Sequence, residues 1–216
     1  MSTDGQVRAV NAMFAVITTK SGVESGIDKR PLAGPVAVGA LGLAGDRQLD
    51  TAHHGGPDKA VYAYAAEDLD WWAEQLGREF TPGLFGENLT LAGIDVTGAV
   101  VGEQWAVGTD GLVLEVTMPR TPCRTFADRM DEPRWVRRFT EGGRPGAYLR
   151  VVQPGTAAAG DAVVVSARPS HGVTIADVFP APQPAMMARL IQAEDDGEIT
   201  LAAAVRRRAA RVAARA

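Results

Sequence analysis

The chain contains a single cysteine among its 216 residues, which excludes an intrachain disulfide framework and a cysteine-rich zinc site. It also has no excess of positive charge, because 22 lysines and arginines face 26 aspartates and glutamates. The net charge of -4 gives no general attraction to nucleic acid. No uninterrupted apolar run is long enough to span a membrane, and the first residues lack the apolar core of a secretory signal. These absences predict a soluble, cytoplasmic protein that binds neither nucleic acid nor membranes.

The chain is rich in turn residues, with 24 glycines and 13 prolines. Between residues 6 and 165 they separate short segments rich in valine, leucine and aromatic residues, a texture typical of strands. The residues "GTDG" at 108–111 lie between two such segments and predict a hairpin. So many short strands at close spacing favour a β-barrel or a sandwich. The segments predicted as strands are 9–19, 34–43, 59–65, 87–91, 103–108, 112–118, 147–152 and 162–167.

Helices are predicted at fewer places in this part of the chain. Residues 65–77 carry apolar side chains at helical spacing and end at Gly77, a common stop signal. Residues 131–143 begin with an acidic pair, have Pro133 in the expected first turn and end at glycines. Both segments are therefore predicted to be helical.

The texture changes after residue 168, where alanine and arginine become frequent and the segments favour helix. The proline cluster at 180–184 interrupts them, and the breakers predict a bundle of about three helices. We therefore expect a mainly β domain over residues 1–168, decorated by helices, and a small α-helical domain over 169–216.

The cysteine stands in an unusual setting, the segment "TMPRTPCRTF". Thr121 and Pro122 match a helix N-cap followed by proline at the first helical position, which would place Cys123 in the first turn. Arg120 and Arg124 flank it in the sequence. A helix start and neighbouring cations lower the pKa of a thiol and favour the thiolate, which binds metals or attacks electrophiles. The alternative stays open that the residue is a buried, inert cysteine of the core.

Two adjacent histidines, His53 and His54, precede Gly55 and Gly56. Successive side chains of a strand point to opposite faces, so at most one of the two serves a given site. The only other histidine, His171, completes no recognisable zinc pattern. The glycines permit close approach of the backbone to a ligand, whereas a structural hydrogen-bonding role for the histidines is the alternative.

Three further polar segments are open to two interpretations. In "GIDKRPL", Lys29 is one of only three lysines, and with Arg30 it can bind an anion or lie in a solvated loop. In "GLFGENLTL", Glu87 and Asn88 follow a glycine turn, where a solvated glutamate is the simpler interpretation. The terminal "VRRRAARVAARA" predicts a helix with a solvated arginine face, and nucleic-acid or membrane-surface binding is its alternative.

Five motifs occur together and in one order: "GLAGDRQLD", "HHGGPDKAVYAY", "FGENLTLAG", "VGEQWAVG" and "TMPRTPC". They resemble the successive motifs of MOSC domains, a family named from the C-terminal domain of molybdenum cofactor sulfurase. More narrowly, the chain resembles bacterial stand-alone MOSC proteins related to the reductases of N-hydroxylated bases. The resemblance covers residues 6–168, and the C-terminal segment resembles the three-helix domain that often follows. It implies a MOSC-type β-barrel decorated by short helices.

The resemblance also implies a cofactor and its site. The cofactor is the molybdenum cofactor, a molybdopterin, and Cys123 is expected to ligate the molybdenum through its thiolate. Lys29 and Arg120 are expected to bind the pterin phosphate, because cations bind phosphate oxygens. The other residues on motifs that line the family's cleft are Asp46, His54, Glu87 and Asn88.

The implied activity is reduction of N–O bonds in N-hydroxylated compounds, with hydroxylaminopurines as the leading substrate class. The chain carries no flavin or iron–sulfur motif, so an external electron-donor protein is expected as a partner. Two alternatives are a non-catalytic carrier of the cofactor or its sulfur, and a metal-free thiol enzyme with Cys123 as nucleophile and His54 as base. The sequence leaves a homodimer open.

Overall fold

The computed structural model describes residues 5–47, 49 and 55–214. Its strands are β1 (Gly5–Thr18), β2 (Glu24–Pro31), β3 (Val36–Gly39), β4 (Gly42–Leu43), β5 (Val61–Ala65), β6 (Leu89–Ala92), β7 (Gln104–Val107), β8 (Leu112–Pro119), β9 (Ala147–Gln153), β10 (Gly155–Ala157) and β11 (Ala162–Ala167). Within the described ranges, seven of them pair in the order β11-β7-β8-β9-β5-β6-β1, and the pairing of β1 with β11 closes a barrel. Strand β2 extends the sheet beyond β1, while β3, β4 and β10 form a separate small sheet. The predicted barrel is confirmed.

The α-helices of the described residues are α1 (Ala66–Leu76), α2 (Arg124–Met130), α3 (Trp135–Gly142), α4 (Ile175–Val178), α5 (Pro184–Asp195) and α6 (Ala203–Ala213). Helix α1 connects β5 to β6, and these two strands are parallel, as a helical crossover requires. The other pairs in the barrel are antiparallel, and β7 and β8 form the hairpin predicted at "GTDG". Short connections between such strands explain the high glycine content of the chain.

Strand β1 is long enough to pair with β6 along its first half and with β2 along its second half. Its first half pairs with β6 in the barrel wall, where Val7 lies opposite Leu91. Its second half leaves the barrel and pairs with β2, where Met13 lies opposite Lys29. The solvated-loop interpretation of the segment around Lys29 is therefore wrong. The segment is polar and lacks strand periodicity, so its extended conformation depends on the pairing with β1.

The predicted end of α1 is confirmed, whereas the predicted start of α3 is wrong. Helix α1 ends at Gly77, which has the left-handed backbone of a helix stop (φ 61°). The helix predicted over 131–143 begins only at Trp135, because Asp131 and Arg134 also have left-handed backbones (φ 54° and 57°). A left-handed residue cannot continue a right-handed helix, and Asp131 ends α2 instead.

The apolar side chains form two clusters. The barrel interior is mainly aliphatic, and Trp105 is its largest fully buried side chain. A second, aromatic cluster lies among α1, α2 and α3, and Phe85 packs there with ring centroids 5.1 Å from Phe126 and 5.7 Å from Trp135. Because edge-to-face aromatic packing is rigid, this cluster gives the adjoining loop before β6 a fixed conformation.

Three helices follow the barrel in the described part of the chain, as predicted. Their buried residues Val178, Leu190 and Ala209 belong to the same apolar cluster as the barrel interior. Helix α6 begins at Ala203, later than the helical composition of the segment predicts. The domain boundary at residue 168 stays a prediction. None of the described helices has the length and apolar character needed to cross a membrane.

His171 connects the C-terminal helices to the barrel. Its Nε2 atom lies 2.9 Å from the carbonyl oxygen of Val101, and its Nδ1 atom accepts a hydrogen bond of 3.0 Å from the backbone N–H of Val173. Burial lowers the pKa of His171. A neutral imidazole satisfies both contacts, which indicates a structural role for His171.

Candidate functional site

A cleft opens between β2, the loop before β6 and the segment that links β8 to α2. The cleft is open to solvent at its mouth and has a cavity volume of about 110 Å³. The polar side chains that line the cleft include Lys29, Lys59, Asn88, Arg120, Cys123 and Tyr148. They come from segments far apart in the sequence, and the fold brings them together.

Cys123 lies in the cleft wall and is half-buried. It precedes α2 as the N-cap residue with an extended backbone (φ -122°), so the predicted N-cap at Thr121 and first-turn position for Cys123 are wrong. The extended backbone continues through Cys123, so the first helical residue is Arg124. The thiol nevertheless stands at the point where a strand leads into a helix.

The cation beside Cys123 in the cleft is Arg120. The negative charge of an ionised Cys123 is among the interactions that raise the pKa of Arg120. Arg124, the other flanking arginine, is 74% exposed and pairs with Asp128 at 2.9 Å. Only one of the two predicted cations therefore faces the cleft in this arrangement.

Arg120 is buried, although it carries a charge. Its guanidinium stacks over the ring of Phe126 at 3.7 Å and donates a hydrogen bond to the carbonyl oxygen of Phe85. Burial opposes the charge, but the neighbouring Tyr62, Tyr148 and Cys123 outweigh it and the pKa of Arg120 is raised. Its buried Nε atom has no hydrogen-bond partner among the described residues. Arg120 is thus a fixed cation with one donor left over.

Lys29 is a second buried cation, and Asp46 holds it in place. The Asp46 Oδ2 atom accepts hydrogen bonds from Lys29 Nζ at 2.6 Å and from Asn88 Nδ2 at 2.8 Å. Its Oδ1 atom accepts from the backbone N–H of Met13 at 2.9 Å. Burial lowers the pKa of Lys29, while the charge of Asp46 opposes this effect. The structure thus places Asp46 behind the cleft wall, where it positions Lys29 and favours its protonated form. Lys29 itself lines the cleft.

We expect Lys29 to titrate below the ordinary lysine value of 10.5, and lower still in the Asp46→Asn variant. The substitution removes the carboxylate charge that favours protonated Lys29. Since the folded state then releases this proton at lower pH than the unfolded chain, the free energy of unfolding rises with pH across that interval. Side-chain NMR of labelled lysine can resolve the signal, because the chain has only three lysines. A Lys29 titration midpoint at or above 10.5, or one that does not fall in Asp46→Asn, would contradict the expectation.

Glu87 is completely buried and shapes the loop before β6. Its carboxylate accepts hydrogen bonds from the backbone N–H groups of Gly83 and Phe85 and from the hydroxyl of Thr90. Burial raises the pKa of Glu87, yet all three partners are donors, so the contacts suit a carboxylate. The bond to the backbone N–H of Phe85 holds the residue whose own carbonyl oxygen accepts a hydrogen bond from Arg120. Glu87 therefore lies behind the cleft wall, and the solvated-glutamate interpretation is wrong.

Asn88 lies between two strands and also reaches the cleft. Its Oδ1 atom accepts a hydrogen bond of 3.1 Å from the backbone N–H of Tyr62, and its Nδ2 atom donates to the carbonyl oxygen of Asn11 at 3.3 Å. The same amide binds Asp46. His54, the remaining site residue predicted from the sequence, lies outside the described residues, as does His53.

Sequence reasoning missed Lys59, Tyr62 and Tyr148, all of which line the cleft. The ammonium of Lys59 lies 5.7 Å from the ring centroid of Tyr148. Lys59 belongs to the motif "HHGGPDKAVYAY", so its rarity as a lysine was an available signal. Tyr62 and Tyr148 are members of predicted strands, and nothing in their local sequence shows that they meet at the cleft.

The residues fit a group that carries a phosphate and a metal needing a soft ligand. Lys29, Lys59 and Arg120 form a cationic wall, and the unpaired Nε of Arg120 is a donor available to an anion. Cys123 supplies the soft sulfur. In the described ranges, no cluster of three or more histidine, cysteine, aspartate or glutamate side chains could hold a metal ion. A metal in this cleft would therefore need other ligands, such as those of an organic cofactor.

Comparison with known proteins identifies the class. The family model of the MOSC domain matches residues 50–164, and the chain belongs to this family. It is 35% identical over 153 residues to "Uncharacterized protein YflK" of Bacillus subtilis, a match that covers 71% of this chain and 68% of that protein. The crystal structure of YiiM from Geobacillus stearothermophilus matches with a TM-score of 0.76 and 30% identity, covering 96% of this chain and 98% of that one.

One relative has a name that states an activity. A protein called "Reductase" from Gibberella moniliformis is 33% identical over 150 residues, which are 68% of this chain. The match spans only 26% of that relative's length. The predicted membership of the MOSC family is confirmed, and the chain is similar to YiiM in sequence and in fold.

Proposed function

We propose that this protein is an oxidoreductase that binds a molybdenum cofactor in the cleft and reduces N-hydroxylated compounds, hydroxylaminopurines being the leading class. The observation that carries the proposal is the position of the Cys123 sulfur beside buried Arg120 in a cleft with two lysines. MOSC domains are associated with molybdenum cofactor binding in general, and a relative is named a reductase.

The residues have separate tasks in this proposal. Cys123 would bind the molybdenum through its thiolate, while Arg120 and Lys29 would bind the phosphate of the pterin. The bound cofactor would supply the two-electron chemistry that breaks an N–O bond. The aromatic cluster under Phe85 supports the wall, and Asp46 holds Lys29 by a hydrogen bond and favours its charged form, so the site is organised before the ligand arrives.

The electrons would come from another protein. A single cysteine cannot hold an iron–sulfur cluster, and the chain has no flavin-binding motif. The proposed partner is therefore a protein carrying a flavin or an iron–sulfur cluster. Its docking would bring a reduced centre close to the cleft mouth.

The wild-type protein, expressed with an adequate molybdenum supply, tests the proposal. We expect stoichiometric molybdenum by elemental analysis, and reduction of 6-hydroxylaminopurine to adenine with reduced benzyl viologen as electron donor. Molybdenum without turnover would contradict the enzyme and favour a carrier of the cofactor. Turnover without molybdenum would contradict the metal and favour a thiol enzyme.

A further inference from the structure

The three tyrosines of the chain differ in what their hydroxyl groups do. The hydroxyl of Tyr62 donates to the carbonyl oxygen of Pro145 at 2.8 Å. The hydroxyl of Tyr64 donates to the carbonyl oxygen of Arg144 at 2.7 Å and accepts from the indole N–H of Trp72. Over the described ranges, the hydroxyl of Tyr148 finds no hydrogen-bond partner. Tyr148 is half-buried and lines the cleft, so this hydroxyl is available to a ligand there.

The ring of Tyr148 is held firmly. On β9 it lies opposite Tyr62 of β5, and the two ring centroids are 5.1 Å apart with the planes tilted by 39°. The ammonium of Lys59 lies over the ring, 5.7 Å from its centroid. A ring packed in this way orients its hydroxyl without further hydrogen bonds, so little side-chain freedom is lost when a ligand binds.

Tyr148 lines the same cleft as Cys123, whose sulfur would carry the metal. Burial and the charge of Cys123 raise the pKa of Tyr148, whereas Arg120 opposes them. A tyrosine hydroxyl is an O–H donor at physiological pH even without this shift. Tyr62 also lines the cleft, but its hydroxyl donates a hydrogen bond to the carbonyl oxygen of Pro145.

We propose that the hydroxyl of Tyr148 donates a hydrogen bond to the hydroxyl oxygen of the bound N-hydroxylated substrate. The contact would select N–OH compounds over their N–H counterparts and stabilise the departing oxygen as the N–O bond breaks. This inference rests on the proposed function and adds to it a residue that contacts the substrate.

The overall reaction balances without consuming the tyrosine. The substrate takes two electrons from the flavin or iron–sulfur partner and two protons from water. The N–O bond breaks, the oxygen leaves as water, and the nitrogen keeps one new N–H bond. Tyr148 keeps its own proton throughout.

The Tyr148→Phe variant removes only the hydroxyl and leaves the ring between Tyr62 and Lys59. We expect its molybdenum content to match the wild type, while kcat for 6-hydroxylaminopurine falls about 10²-fold, as for loss of one donor to a developing oxyanion. Without an electron donor, calorimetry should show that the preference for 6-hydroxylaminopurine over adenine falls about two- to tenfold. Tyr64→Phe is the matched control, because its hydroxyl lies outside the cleft lining; kcat and preference should stay at wild-type values.

The inference is overturned if Tyr148→Phe equals Tyr64→Phe in both kcat and binding preference. A loss of molybdenum in Tyr148→Phe would also overturn it, because the residue would then act on the cofactor. Failure of the proposed function is distinguishable, since there the wild type itself would lack molybdenum or fail to turn over.

Discussion

Replacing Cys123 with alanine is expected to reduce the molybdenum content of the purified protein to background and to abolish reductase turnover. The sulfur is the one thiolate that the chain can offer. Without it, the cationic wall could still attract the phosphate, but the metal would lose its only protein ligand in the proposal. Elemental analysis and viologen-driven reduction of 6-hydroxylaminopurine, both on the same preparation, measure the effect.

The fold should survive this substitution. Cys123 is half-buried and makes no side-chain cap hydrogen bond to α2, so alanine removes little packing and no cap. We expect a change of about 1 kcal/mol or less in the free energy of unfolding. Cys123→Ser is the matched control, because it keeps the size of the side chain and replaces soft sulfur by a hydroxyl that stays protonated at neutral pH. Molybdenum at wild-type level in either variant would remove Cys123 from the proposal.

Replacing Glu87 with alanine is expected to lower the free energy of unfolding by about 3 to 5 kcal/mol. The substitution leaves two buried backbone N–H groups, of Gly83 and Phe85, and the Thr90 hydroxyl without their acceptor. Each such buried group costs about 1 to 3 kcal/mol when it is left unpaired. Chemical denaturation of the two proteins measures the difference.

Two variants make the interpretation specific. Glu87→Gln keeps one acceptor oxygen but turns an N–H₂ group toward a donor, so an intermediate loss is expected. Glu74→Ala removes an exposed glutamate from α1 and should change stability by less than about 0.5 kcal/mol. A Glu87→Ala protein as stable as Glu74→Ala would show that the loop before β6 does not depend on this carboxylate.

The strands were the most predictable part of the fold. Runs such as 112–118 and 162–167 alternate or repeat branched residues between turn residues, and each became a strand with nearly the predicted bounds. Strand β2 was not predicted, because "ESGIDKRP" has no apolar periodicity and extends only through its hydrogen bonds to β1. The start of α3 was also missed, because nothing in the composition of 131–134 shows that two of its residues adopt left-handed backbones.

The candidate site was predictable only in part. Lys29, Asn88, Arg120 and Cys123 were predicted from their motifs, and the structure places all of them on the cleft. Their roles as cofactor ligands stay predictions. For Asp46 and Glu87, the motifs indicated a place near the site but not whether the side chain enters the cleft. Only the hydrogen bonds show that both carboxylates support the cleft wall from behind.

The sequence by itself determined the local features: where strands form, where glycine ends α1, which family the chain belongs to, and which residue supplies its one thiol. These follow from short-range patterns, because propensity, turn chemistry and motif spacing are properties of neighbouring residues. The tertiary structure alone decided that β1 closes the barrel with β11, that Lys29 shares a cleft with Cys123, and that Tyr148 lines the same cleft. These depend on pairings between segments distant along the chain, which local sequence does not encode.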